Sequence, residues 1–207
     1  MLAFADARVF LNPAPVAPRE PVLPVALVGH VPGPARPERL TRALREHWRG
    51  LGLQRPERRL ERVLAGDAPQ AGDARLVQLF DLPLALDSHA QFLDLFPGAA
   101  TAADPAGAVG AAPWLPLAVE DYFAAGGERL WLVRTDEADG RDGLLAPAPG
   151  DAAQPETLRG LDAALAVPEI GLVALPDLER LQLPPGLEPV PFEPVAPTYA
   201  RFVPVAE

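Results

Sequence analysis

The chain has 207 residues, 27 prolines, 17 glycines, 49% hydrophobic residues and a formal charge of −10. Leu, Val, Phe and Ile together exceed the roughly 20% below which chains stay disordered, and the length suits one domain with appendages. The sequence holds no Cys, no Lys, one Ser, one Asn and three His, which excludes thiol nucleophiles, disulfides, zinc thiolate sites and lysine Schiff bases.

Proline is concentrated in two places, eight between Pro13 and Pro37 and seven between Pro184 and Pro204. Residues 1–21 and 183–207 therefore read as extended arms flanking an α/β domain at residues 22–182. Pro24–Val31 is a short apolar run bounded by proline and glycine, the pattern of a buried strand. In Pro37–Arg49 the apolar residues Leu40, Ala43, Leu44 and Trp48 recur at helical spacing, and Gly50 is a stop. Pro56–Ala65 repeats the scheme with Leu60, Val63 and Leu64, so residues 36–66 form a helical hairpin. Arg75–Phe80 is the second strand expected. Asp87 or Ser88 caps a helix running to Phe96. Residues 99–112, rich in Ala, Gly and Pro, read as a surface loop. Pro113 or Trp114 opens a helix to Ala125, with Leu115, Val119, Tyr122 and Phe123 on one face and Gly126-Gly127 as its end. Arg129–Thr135 is a strand, Pro155–Ala166 a helix with Leu158, Leu161 and Leu165 on one side, and Ile170–Leu175 the last strand. This alternation predicts a mixed or largely parallel sheet with flanking helices.

Charge is unevenly placed. Arg36–Arg62 carries nine arginines against Glu38, Glu46, Glu57 and Glu61, so this segment is positive in an otherwise acidic chain. The acidic remainder opposes nucleic-acid binding, and an acidic face on a partner or a neighbouring copy is the expected counterpart. Arg42, Arg45 and Arg58 stand for that patch. Asp136–Gly143 is an acidic loop whose spacing does not match an EF-hand, and it reads as a solvated turn. Gly29-His30-Val31-Pro32-Gly33 lacks both common phosphate-binding glycine patterns. His30 has no Ser, Cys or carboxylate close to it in sequence, His47 sits beside Trp48 in the basic helix, and the adjacent Ser88 and His89 point in different directions. Ligands in open α/β sheets bind at the carboxyl ends of strands, which singles out Asp136 and Asp177 as an alternative small-molecule or enzyme site. The simpler role for both is to cap loops. No catalytic, cofactor-binding or metal residue is assigned. With no apolar signal core near Met1–Arg8 and no run of roughly 18 apolar residues, a cytoplasmic chain without a membrane span is expected.

The order of motifs carries a resemblance. PVALVGHV with Gly33-Pro34, then Ser88, Phe92, Phe96 and Gly98, then Tyr122, Phe123, Gly126 and Gly127 feeding Leu130–Arg134, then Gly160, Leu161, Asp162, Leu165 and Pro176-Asp177, resembles the N-terminal half of the contractile tail sheath family of phage tails and extracellular contractile injection systems. The resemblance spans roughly residues 22–180. It implies a structural assembly protein with no catalytic residues and no cofactor. The implied partners are other sheath or tail subunits, as a homo- or hetero-oligomer, with the inner tube or baseplate as a further contact. It also implies terminal arms exchanged by strand addition, for which Ala7–Leu11 and Tyr199–Val205 are strand-competent pieces. The basic hairpin is an insertion relative to that family. Family members run on well past Pro176-Asp177 whereas this chain ends at Glu207, so an adaptor, cap or baseplate-proximal component is expected.

Overall fold

A computed structural model describes residues 23–101, 112–146, 150–151 and 153–181. The proposed arms, and most of the 99–112 loop, lie outside these residues. In chain order the elements are β1 (Val25–His30), α1 (Arg42–Gly50), α2 (Gln54–Leu64), α3 (Asp73–Val77), β2 (Pro83–Leu86), α4 (His89–Leu95), α5 (Leu115–Ala124), β3 (Leu130–Thr135), α6 (Gly140–Leu145), α7 (Gly160–Leu165), β4 (Leu172–Ala174) and α8 (Pro176–Arg180). The sheet order is β2-β3-β1-β4, with β1 parallel to β3 and β4 and β2 antiparallel to β3. The expected α/β architecture, mostly parallel with helical layers, is what forms.

Side chains alternate across a strand, so Gly29 and its register partner Arg134 face one side while Trp131 faces the other. Helix α5 lies on the Gly29 side, where a Cβ on Gly29 would meet Leu115 at 3.1 Å. Phe96, just after α4, shares that side beneath Arg134. On the opposite face His47 of α1 meets the edge of Trp131 at 5.5 Å, and Trp131 Nε1 donates to Glu169 after α7. The helices thus form two layers around the sheet.

Local chemistry explains three of the helix ends. Ser88 Oγ accepts from Gln91 N at 3.2 Å while Gln91 Oε1 accepts from Asp87 N at 2.8 Å, a capping box shifted by one residue. Thr41 caps α1 in the same way through Leu44 N. Helix α5 closes in a Schellman motif: Gly126 takes φ 91°, Gly126 N donates to Phe123 O and Gly127 N to Tyr122 O. The Tyr122 ring covers Gly127, leaving no room for a side chain, and its hydroxyl donates to Arg129 O at 2.7 Å. The double glycine works as its sequence implied.

Three expectations fail. Arg75–Phe80 is not a strand: Asp73–Val77 is helical, Leu79 and Asp81 take positive φ, and Phe80 makes only an isolated bridge to Arg134. Asp73 is fixed by Arg59 and by Gln70 N, which nucleates the turn, and the strand lies further on at Pro83–Leu86. The expected helix Pro155–Ala166 is a 3-10 turn at Pro155–Thr157, an extended Leu158 and the shorter α7. Of its leucines Leu158 is buried, but Leu165 is exposed because α7 packs through Ala163 and Ala164. Asp136–Gly143 is not a simple turn either, since Glu137–Asp139 and Gly140–Leu145 are both helical.

The hairpin, although extra to the resembled family, belongs to the core. Leu40, Leu44, Trp48, Leu53 and Leu60 are all buried in the central cluster, and Trp48 Nε1 donates to Pro83 O at 2.7 Å, docking α1 on β2. Trp48→Ala should lower the unfolding free energy by about 3–5 kcal/mol in chemical denaturation; a loss near zero would mean that the hairpin is dispensable.

Candidate functional site

The carboxyl ends of β1 and β3 are where residues distant in sequence meet. Asp177, in the first turn of α8, is fully buried. Its Oδ2 accepts from His30 N at 2.8 Å, and its Oδ1 accepts from Trp114 N at 2.7 Å and from Arg180 Nε at 3.2 Å. One carboxylate therefore joins the end of β1, the start of α5 and the body of α8. Gly29 is required beside it, because a Cβ there would stand 2.5 Å from Asp177 Oδ2.

His30 is buried too, with Arg180 Nη2 2.8 Å from its Nδ1. A guanidinium only donates, so Nδ1 accepts and the neutral ring carries its proton on Nε2, which has no hydrogen-bond partner. Arg180 also pairs with Glu137 at 2.9 Å. Burial pushes the His30 pKa below its ordinary value of 6.5, and Arg180 pushes the same way against the opposing pull of Asp177, Glu137 and Asp136.

On the other side of the turn after β1 lies Arg134, 4% exposed. Its Nη2 donates to Val31 O at 2.8 Å and Gly33 O at 2.5 Å, and its Nη1 to Gln78 O at 3.0 Å. The guanidinium is stacked near Phe80 and Phe96, 4.8 and 5.3 Å from their ring centres. Burial lowers its pKa to about 10, so it remains a cation at neutral pH.

Of the residues singled out in the sequence, Asp177 and His30 come together and Asp136 does not join them as a ligand pair. Asp136 Oδ1 caps the turn after β3 by accepting from Ala138 N at 3.0 Å, and its Oδ2 lies 3.7 Å from Arg75. Asp139 pairs with Arg75 at 2.9 Å. The acidic segment is thus neutralised by arginine rather than gathered around one point. Ser88 is spent as a helix cap, His89 stacks on Phe92, and His47 Nδ1 lies 2.8 Å from Ala43 O. His30 does gain a carboxylate neighbour, contrary to its sequence surroundings, because the partner is 147 residues away. Arg134 figures in the sequence only as the end of a strand motif and not as a site residue; its signal is a lone charge in the apolar strand sequence LWLVRT.

The basic patch also resolves. Arg42 pairs with Glu46, Arg45 with Glu61, Arg49 with Glu57, Arg55 with Glu156, and Arg59 with Asp73. Among the described residues Arg36, Arg39, Arg58 and Arg62 have no ion pair, so Arg42 and Arg45 do not represent the free charge while Arg58 does. A cavity of about 330 Å³ lies between α2, α3 and the turn at Pro155–Thr157, with Arg55, Arg75, Phe80, Asp81 and Leu158 among its walls. Its arginines already face Glu156 and Asp81.

No family model, no curated protein and no solved structure matches this chain. Among the described residues no helix is long and apolar enough to cross a membrane.

Two measurements test this site. Asp177→Asn puts an amide among three donors and should cost about 3 kcal/mol of stability by denaturant titration; a neutral result would remove Asp177 as the joint. The His30 pKa is depressed in the fold, so the unfolded chain takes up its proton first. Stability should be fully present above pH 6.5 and decline as pH falls toward the lowered folded value. Thermal melts of His30→Gln against the parent should lack that part of the decline, and parallel curves would contradict the assignment.

Proposed function

We propose that the chain is a structural assembly component of a contractile phage-tail-like particle, a sheath-like adaptor, cap or baseplate-proximal subunit. The observation that carries this reading is the β4 edge. Among the described residues no strand lies beyond β4, a three-residue strand whose Leu172 is 59% exposed. Leu23, 61% exposed, packs its side chain over Gly171, and Gly171 N donates to Pro24 O at 3.0 Å. The chain therefore enters β1 against the amino end of β4, and the outer edge of β4, which carries no strand among the described residues, is a template for strand addition from a neighbour.

The motif residues that suggested the sheath family support the same reading. Gly98 lies directly against the backbone of Pro32 and Gly33, Gly126 and Gly127 close α5, and Asp177 fixes the end of β1. All of these are architectural positions. The alternative, a small-molecule binder or enzyme near Asp136 and Asp177, has less support, because the Asp177 oxygens already accept three hydrogen bonds from the chain itself.

Electron microscopy and sedimentation of the full chain, alone and mixed with sheath and tube proteins from the same particle, test the proposal. Ordered oligomers or co-assemblies are expected, and removal of residues 183–207 should reduce them. A chain that neither self-associates nor joins sheath or tube proteins would overturn it.

A further inference from the structure

Two exposed helix faces of the chain carry opposite charge. On α2, Arg55, Arg58, Arg62 and then Ala65 fall at i, i+3, i+7 and i+10, and all four are exposed. The helix turns Pro56, Glu57 and Leu60 inward, which fixes that basic stripe outward. Arg58 and Arg62 have no ion pair among the described residues. On α5, Leu117, Glu120, Asp121 and Ala124 fall at i, i+3, i+4 and i+7, again all exposed, while Leu115, Pro116 and Val119 are buried. Glu120 and Asp121 likewise have no ion pair among the described residues, and neither does Glu128 beyond the helix end. Leu117 is 52% exposed, an apolar residue beside an acidic pair.

We propose that the α2 stripe of one copy docks on the α5 stripe of a second copy of this chain. The inference rests on the reading of the protein as an assembly component and names the surface that would carry self-association. Charge complementarity selects the occupant. The chain carries its surplus of positive charge in this one segment, and unpaired acids lie on a separate helix of matching length. The helices have 11 and 10 residues, each about 15 Å long. An antiparallel approach sets the small Ala65 opposite Leu117 and Arg62 opposite Glu120, and lets Arg58 reach Asp121. The two stripes are different surfaces, so a contact of one α2 stripe with one α5 stripe is heterologous and leaves each copy one basic or one acidic face for a further neighbour. A symmetric ring or an open row follows from repetition.

Reversing each face separately provides the test, because the two variants are complementary to one another. Arg58→Glu with Arg62→Glu leaves both faces acidic, and Glu120→Arg with Asp121→Arg leaves both basic. All four residues are exposed, and circular dichroism checks that each variant is folded. In sedimentation velocity at physiological salt the parent should associate, each variant alone should associate about 10- to 100-fold more weakly, and an equimolar mixture should regain the parent's association. High salt should weaken the parent and the mixture alike. Variants that associate as the parent does, or a mixture that stays monomeric, would overturn the docking surface while leaving the particle role to co-assembly with sheath and tube. A parent that is monomeric at physiological salt overturns the docking surface too, and co-assembly with those partners still decides the broader reading.

Discussion

A buried guanidinium with no carboxylate beside it sets the geometry of the sheet's carboxyl end. Arg134 gives up water and receives in return the carbonyls of Val31, Gly33 and Gln78 and the faces of two aromatic rings. Those carbonyls come from two separate pieces of chain: two belong to the turn leaving β1 and one to the turn before β2. A planar fork is needed to reach them together, which a lysine ammonium on a flexible stem does not provide. The cost of burial is visible in the lowered pKa, about 10, yet the group stays charged, and without that charge the three carbonyls would be left in an apolar site. The turn Val31–Gly33, on which Gly98 packs, depends on this single side chain.

Asp177 performs the opposite-charge counterpart on the other side of His30. In an open α/β sheet, the end of a strand flanked by parallel neighbours is the usual ligand crevice, with a helix N-terminus presenting backbone donors. Here β1 is that strand and Trp114 N at the start of α5 is such a donor, but the acceptor is supplied by the chain. Filling the crevice with its own carboxylate converts a binding geometry into a fastening. Among the described residues, the β4 edge and the charged helix faces are outward-facing features of a kind that suits contacts between macromolecules.

The sequence was legible where structure is local. Ser88, Gly126-Gly127 and the apolar run of β1 each declare an element within a few residues. RLVQLF misled because a six-residue apolar run fits a strand and a helical turn equally well, and the decision came from Asp73 meeting Arg59, 14 residues away. The helix expected at Pro155–Ala166 failed for a related reason: Gly160 must lie against the backbone of Gly143 and Leu144, so the chain bends there and α7 faces inward with alanines instead of leucines. Asp136 and Asp177 could be named as strand-end acids, but only the fold shows one capping a turn and the other holding three elements. Nothing local marks His30 as Asp177's neighbour, since that contact spans 147 residues.

Helix α2 shows how one segment can serve core and surface at once. Leu60 and Pro56 commit it to the core, so its orientation is fixed before any partner arrives, and Arg58 and Arg62 are left facing water. Copies of a chain with a charge of −10 repel one another at long range, but at physiological salt that repulsion fades within roughly 8 Å. Attraction between rigid, oppositely charged stripes then acts only near contact, which favours one docking geometry over loose clustering. The strand addition proposed at the β4 edge would rely instead on backbone hydrogen bonds, which salt hardly screens. The two modes use different surfaces and respond differently to ionic strength, so a chain equipped with both could hold its neighbours by the ladder and set their orientation by charge.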